Sequence, residues 1–406
     1  MSQATPNTTS PATVTAAEPA APAGDGAVSQ AGERRSARIE SLRALAALAV
    51  VWDHAFTYTF AFSLAAGHSA NTLDKLMGGG HFAVFLFFAL TGYLLFWPFA
   101  KAHFGDAEAI NLGRYAANRA LRILPLYFAV VVVVLTLQEH GSTPGTWVRF
   151  LTFSESFSTQ TVGQIVTPLW SLVVELHFYL LLPLLAGALG RVSRGSMKSA
   201  AALLLAAGAV GIAVRYREFL LPSQPSRIWQ YSLPVTFCFF VPGMLLALLR
   251  LSWERQRPGW LRGALAGADL WLIAAIPLWA VAVLQPHLDP LIGVAAFLVV
   301  GGCVLPLRHG PLVRALGWRP LALLGVASYS LYLWHAPVLR ALIRATPFTH
   351  SFPQLMLIAV PVMIAVALAS YALIESPFLR LRRQWARSSA RQTESILVPT
   401  AVRAQE

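Results

Sequence analysis

The sequence predicts an all-α, polytopic membrane bundle of about ten transmembrane helices with both termini in the cytoplasm. Three observations carry that prediction. Of the 406 residues, 56% are hydrophobic and only 12% charged, whereas ordinary soluble domains carry roughly 25% charge. The hydrophobic residues fall in repeated blocks of about 20, each long enough to cross the ~30 Å hydrocarbon core of a bilayer as a helix. The basic residues divide unevenly between alternate connecting segments. A soluble chain of this composition is excluded, because single cores stop growing beyond roughly 250–300 residues and polar surfaces then separate the domains.

Residues 1–32 contain no Lys, Arg, aromatic residue or sustained apolar run. They cannot bury enough surface to offset chain entropy, so 1–35 is expected to be a disordered N-terminal tail. The basic start and apolar stretch of a secretory signal are both missing, which makes the first hydrophobic block a retained span. Spans are placed near 42–62, 81–100, 121–138, 167–187, 199–214, 229–249, 267–284, 288–306, 321–343 and 354–374. The short QPHLDP turn makes the seventh and eighth a tight hairpin. Residues 36–380 then form the membrane domain, and 381–406 a basic cytoplasmic tail. Of the 31 basic residues, 24 lie on the side of the termini and seven on the other, which puts both termini in the cytoplasm under the positive-inside rule. The protein is therefore expected in the cell membrane, with the lipid bilayer as a partner.

The net charge of +13 does not imply nucleic acid. Basic residues sit between hydrophobic blocks rather than on one soluble face with groove-reading partners. Cys238 and Cys303 lie inside hydrophobic runs and match no metal spacing. Both read as small core residues, and no metal is expected.

Ionisable groups inside the spans are more informative, since each costs about 2.5–3.5 kcal/mol at mid-bilayer on insertion scales. In the first span Arg43 and His54 are 11 residues apart, which returns to within about 20° of the same helix face, some 16 Å deeper. Asp53 points about 100° away and is a poor partner for His54. A bundle-core histidine with a snorkelling arginine is the structural alternative. In span four, Ser171, Glu175 and Tyr179 form an i, i+4, i+8 polar stripe. Glu175 either orients an imidazole from another span, as the acid of an acyl-transfer triad does, or locks two helices together. His177 faces elsewhere and reads as a packing residue. Arg119 and Arg122 open span three, where free backbone N–H groups favour anions such as phosphate, although ordinary positive-inside arginines would look the same. Span nine places Ser328, Tyr332 and His335 on adjacent turns, and Glu375 precedes Pro377 as the chain leaves the last span; either set can be helix-packing polarity.

There is no G-x-S-x-G elbow and no H-E-x-x-H zinc motif. No His is followed by Asp at the spacing of soluble-faced glycerolipid acyltransferases. Any chemistry must rest on histidine and carboxylates. Taken together, six motifs do resemble one family: the Arg-x10-His of Arg43 and His54 behind ESLR, then FFALTGYLLF, RALRILPLY, WSLVVELHFY, SYSLYLWH and the closing ESP. Their order is that of acyltransferase family 3, integral-membrane O-acyltransferases of bacterial surface polysaccharides, lipids and antibiotics, and the resemblance covers roughly residues 36–380. It implies that Arg43 and His54 form the catalytic pair, that Arg119 and Arg122 meet the acyl-CoA, and that Glu175 belongs to the polar interior. Thr91 stands where the family's second-span motif usually has Ser, and Leu176 where a second Glu is common. No appended extracytoplasmic hydrolase-like domain is expected, since about 30 residues follow the last span.

The implied activity is transfer of an acyl group, acetyl being the expected one, from acyl-CoA as co-substrate to a hydroxyl of a surface carbohydrate, lipid or secondary metabolite. His54 would serve as general base or relay the acyl group, with Glu175 orienting it. The alternative from another class is a transporter or flippase in which Arg43, His54 and Glu175 line a pathway without bond making. Tyr332 and His335 are expected at the substrate. Arg215, Arg217 and Arg227 cluster in one outside loop beside Trp229 and Tyr231, a composition suited to a sugar or anionic headgroup and also to aromatic-belt anchoring.

Overall fold

A chain crossing hydrocarbon must satisfy its backbone hydrogen bonds internally, because lipid tails offer no partner. This chain does so with helices. The computed structural model describes residues 24–65, 67–139, 142–162, 168–220, 227–256, 263–345, 351–382 and 384. In chain order the helices are α1 (Gly24–Ala65), α2 (Thr72–Met77), α3 (Ala83–Phe104), α4 (Leu112–Leu137), α5 (Pro144–Leu151) and α6 (Leu169–Val192). Then come α7 (Met197–Leu220), α8 (Arg227–Gln230), α9 (Leu233–Thr236), α10 (Val241–Arg255), α11 (Ala268–Leu284) and α12 (Leu291–Val304). The last four are α13 (Pro311–Ala315), α14 (Arg319–Val326), α15 (Ser328–Ala345) and α16 (Phe352–Ser370), the last running into a π-helical turn, Tyr371–Glu375. Among the described residues, extended pairing is limited to one bridge between Gly267 and Arg308.

Seven helical segments are long and apolar enough to cross a membrane: Ser36–Ala65, Thr72–Phe104, Leu112–Leu137, Leu169–Val192, Met197–Arg217, Leu233–Arg255 and Phe352–Arg382. The pair α14 and α15, bent by 70° at the break between them, is long and apolar enough only when the two are taken together, as a broken span or a re-entrant loop. The expected hairpin is present as α11 and α12, but these have 17 and 14 residues and rise only about 26 and 21 Å, short of the ~30 Å core. Each of the ten expected spans therefore coincides with helix, while seven reach membrane length as single segments and the bent α14–α15 pair does so only as a unit. The first helix starts at Gly24, so residues 24–35 of the expected tail are helical. Residues 1–23 and 385–406 lie outside the described residues.

Local chemistry accounts for the helix starts. Asn111 caps α4 by accepting the Arg114 N–H at 2.9 Å, Asn71 and Asp74 form a capping box on α2, and Thr143 caps α5 with Pro144 at its first turn. Such caps satisfy N–H groups that have no partner within the helix. The centre of the bundle is the crossing of α3 and α10. There Gly92 lies against the Phe240 carbonyl and Gly243 against the Ala89 carbonyl, so close that a β-carbon on either would collide with backbone. Aromatic faces fill the space around it: Phe88 and Phe178 stack on Phe240 at 4.6 and 4.1 Å, and Phe85 stacks on Phe239 at 3.8 Å.

Polar contacts sort the connecting segments into two ends. At one, Arg38 Nη1 donates to His309 Nε2 at 2.6 Å, Arg255 to the Phe104 carbonyl at 2.6 Å, and Asp269 accepts the Leu312 and Val313 N–H groups, each at 3.0 Å. At the other, Gln138 donates to the Pro337 carbonyl at 2.9 Å, Arg340 pairs with Glu139, and Arg215 pairs with Asp289. The last contact holds α7 to the α11–α12 turn. Both nitrogens of the Arg215 fork reach the Asp289 carboxylate, the guanidinium lies over the Phe85 and Phe239 rings at 5.6 and 5.4 Å, and Asp289 is 4% exposed.

Removing one partner of a buried pair strands the other charge. Arg215→Gln is therefore expected to lower stability by about 3 kcal/mol, measured as a lower unfolding temperature of the purified protein. Arg217→Gln, at an exposed position two residues further along the helix, should change it by less than ~0.5 kcal/mol.

Candidate active site

Where α1, α3, α4, α6 and α15 meet, they enclose a cavity of about 120 Å³. Three arginines, Arg43, Arg119 and Arg122, reach it from α1 and α4, and Glu175 faces them from α6. Glu175 is held by two hydroxyls: Thr91 donates to Oε1 at 3.0 Å and Tyr179 to Oε2 at 2.5 Å. The replacement of the family's usual Ser by Thr91 thus keeps the donor. Ser171 and Tyr332, also in the wall, share a 2.6 Å hydroxyl–hydroxyl bond. The i, i+4, i+8 stripe of α6 therefore points into the site as its spacing predicts.

The arginines are only partly satisfied. Arg43 Nη1 donates to Glu40 at 3.4 Å. Arg122 faces Glu375 at 3.8 Å, too far for a hydrogen bond. Arg119 Nε and Arg122 Nη2 are buried with no partner among the described residues. Buried N–H donors left open cost about 1–3 kcal/mol each, and both belong to side chains that line the cavity. Such a place suits an anionic or strongly hydrogen-bond-accepting group. Glu375 itself is 3% exposed and accepts the Ser330 hydroxyl at 2.5 Å. It reaches inward because it ends the π-helical turn, a register change common at functional sites.

His54 stands apart from this cavity. Its Nδ1 lies 2.9 Å from the Val50 carbonyl, so Nδ1 carries the proton and Nε2 keeps a lone pair. Its ring meets His335 edge to face, with centroids 4.9 Å apart. His335 in turn lies 5.5 Å from the Tyr332 ring, which lines the cavity. The expected orientation of His54 by Glu175 is not found: Thr91 and Tyr179 occupy the carboxylate, and a backbone carbonyl of its own helix holds the imidazole. Arg43 and His54 share a face, but depth separates them. Asp53 faces away from His54 as the helix period requires and bonds to His81 at 3.3 Å. His177 packs near Phe157, ring centroids 5.7 Å apart.

The outside arginine cluster does not assemble. Arg215 is committed to Asp289, Arg217 is exposed at the end of α7, and Arg227 heads α8 with its side chain outside the described residues. Tyr231 stacks on Trp170 at 4.6 Å. Among the described residues no three His, Cys, Asp or Glu side chains are grouped to hold a metal.

The sequence reading missed Glu155, in the segment between α5 and α6. It is 2% exposed, its Oε2 has no partner among the described residues, and the Tyr127 hydroxyl lies 3.5 Å from Oε1. Burial pushes its carboxyl up to about 8. No spacing signals it, because its burial comes from the folding back of a non-periodic segment.

The fold and the cavity define the class, a polytopic helical protein with a buried cationic site. A family model described as an acyltransferase domain matches residues 36–375. The chain belongs to that acyltransferase family, the one its six motifs resemble. Relatives include YrhL of Bacillus subtilis (strain 168), whose name provisionally assigns it to peptidoglycan O-acetylation, 28% identical over 87% of this chain and 56% of that protein. The exopolysaccharide production protein ExoZ of Rhizobium meliloti (strain 1021) is 26% identical over 78% of this chain and 95% of its own length. The peptidoglycan O-acetyltransferase OatA of Listeria monocytogenes is 24% identical over 84% of this chain and 55% of its length. The chain thus spans about half the length of YrhL and OatA, and nearly all of ExoZ. No solved structure matches it.

A carboxyl raised by burial is protonated in the folded loop. The stability it allows is complete below its ordinary value near 4.5 and is lost as pH rises through about 8. Proteolysis within residues 152–162 should therefore accelerate between pH 6 and pH 9 in the wild type, and Glu155→Gln should abolish that acceleration.

Proposed function

We propose that the chain is an integral-membrane O-acyltransferase that moves an acyl group, acetyl in the first instance, from acyl-CoA to a hydroxyl of an envelope carbohydrate. The observation that carries this reading is the cavity lined by Arg43, Arg119 and Arg122 beside Glu175, with Arg119 Nε and Arg122 Nη2 left without a partner among the described residues, in a chain of the acyltransferase family. The names of OatA and ExoZ support a carbohydrate acceptor. A lipid or secondary-metabolite hydroxyl would obey the same chemistry.

The uneven distribution of basic residues supports entry of acyl-CoA from a cytoplasmic end. At about 120 Å³ the cavity has no room for the adenosine, which stays at the basic end while the diphosphate reaches the arginines at the cavity wall and the thin thioester arm enters. Arg119 and Arg122 offer charge-assisted hydrogen bonds to the donor's phosphates, with Arg43 adding positive charge. Glu175, fixed by two hydroxyls, keeps the cluster from mutual repulsion. The arm then passes Tyr332 toward His54, where the acceptor arrives from the opposite end.

At His54, Nε2 removes the proton of the acceptor hydroxyl as its oxygen attacks the thioester carbonyl. The carbon–sulfur bond breaks, and the proton returns from His54 to the departing thiolate. General-base catalysis of this kind contributes about 10²- to 10⁴-fold.

Two substitutions test the assignment in purified protein given acetyl-CoA and a β-1,4-linked N-acetylglucosamine trimer as acceptor, with release of free CoA thiol as the readout. His54→Ala should lower the rate by about 10²- to 10⁴-fold at normal membrane abundance; an unchanged rate would remove His54 from the reaction. Arg119→Gln with Arg122→Gln should raise the KM for acetyl-CoA at least tenfold, about 1.4 kcal/mol, whereas Arg191→Gln with Arg194→Gln, at exposed positions, should leave it unchanged. Equal effects would make all four ordinary positive-inside residues.

A further inference from the structure

His335 is the one histidine of the site that the scheme above leaves idle, and it is the most enclosed. It is 0% exposed. Its Nδ1 lies 2.5 Å from the Tyr332 carbonyl, and a carbonyl only accepts, so Nδ1 bears the proton and Nε2 is an acceptor. That Nε2 is buried with no donor among the described residues. His54 has the same arrangement, Nδ1 donating to the Val50 carbonyl. Two imidazoles in edge-to-face contact, centroids 4.9 Å apart with planes at 66°, therefore both keep an Nε2 lone pair. The pair is one proton short.

Acyl transfer produces that proton. When His54 takes it, an imidazolium forms inside an apolar bundle and needs a hydrogen-bond acceptor. The usual acceptor, a carboxylate, is engaged elsewhere on every element around it. On α6 Glu175 is bonded to Thr91 and Tyr179, on the last span Glu375 is bonded to Ser330, and on α1 Asp53 is bonded to His81. Arg43 and Arg122, the nearby cations, accept nothing.

We propose that His54 and His335 act as one proton-holding unit, in which the proton taken from the acceptor hydroxyl stays on His54 Nε2 while the His335 ring, in contact with the His54 ring and with its own Nε2 open, stabilises the imidazolium until the thiolate receives the proton. The inference rests on the acyl-transfer reading. No additional reactant is consumed: the oxygen–hydrogen bond of the acceptor breaks, a nitrogen–hydrogen bond forms on His54, and the same proton ends on sulfur. His335 is thus a positioning residue acting through His54, not the substrate contact that its motif alone implies. Its own tautomer is set by Tyr332, which also lines the arginine cavity, so one helix turn of α15 connects the two halves of the site.

The test uses purified full-length protein in lipid nanodiscs with acetyl-CoA and a β-1,4-linked N-acetylglucosamine trimer. His335→Leu, which removes the acceptor, should lower kcat about tenfold to a hundredfold with KM for both substrates unchanged. His335→Gln, whose Oε1 can accept, should recover much of that loss. Wild-type kcat in His335→Leu overturns the proposal, and so does a raised KM for the trimer at normal kcat, which would make His335 a substrate contact. Spectra of protein labelled with ¹⁵N-histidine give an answer independent of turnover and of how the leucine variant folds. The His335 Nε2 resonance should move as His54 becomes protonated in the wild type and stay fixed in His54→Ala. A resonance that titrates identically in both overturns the pair, even if thiol release confirms acyl transfer; absence of thiol release from the wild type defeats the acyl-transfer reading alone.

Discussion

Charge brought into an apolar helix bundle must be compensated on the spot, since neither water nor lipid will do it. This constraint organises the region around the cavity. Arg43, Arg119 and Arg122 converge from α1 and α4, and they meet the carboxylates of Glu40 on α1 itself, Glu175 on α6 and Glu375 at the end of the last span. Each of the two innermost carboxylates is itself held by hydroxyls, Glu175 by Thr91 and Tyr179, Glu375 by Ser330. Four spans and the bent α14–α15 pair must therefore keep their relative depth, because sliding any one would separate charges in a low-dielectric interior.

Degree of satisfaction differs sharply among the polar groups of this molecule. The Arg215–Asp289 pair is a closed unit, fork against carboxylate, with aromatic rings beneath the guanidinium. The Asp53–His81 contact and the capped helix starts are similarly complete. By contrast Arg119 Nε, Arg122 Nη2 and His335 Nε2 are open at the cavity wall and the adjoining histidines, and Glu155 Oε2 is open between α5 and α6.

Much of this was legible in the residues. Helical periodicity alone placed Arg43 and His54 on one stripe and aligned Ser171, Glu175 and Tyr179, because 3.6 residues per turn leaves little freedom once a span is recognised. Periodicity fixes a face but not the partner across it. Chemistry alone pairs His54 with Glu175, while the fold presents it with His335. Sequence neighbours group Arg215 with Arg217 and Arg227, yet its partner Asp289 is 74 residues away. The α11–α12 hairpin shows in the sequence as two apolar blocks, but composition does not reveal that neither helix is long enough by itself to span.

The π-helical turn at Tyr371–Glu375 carries a consequence of another kind. It accommodates one residue more per turn than the α-helix on either side, and so sets the rotational phase of everything beyond it. Loss of a single residue there would restore regular α-helix and swing Glu375 by about 100°, from Arg122 toward the membrane. Insertions and deletions in this stretch are thus far more damaging than substitutions: Leu373 is 77% exposed, so its side chain is free to vary among apolar types, but the number of residues between Ser370 and Ser376 is not.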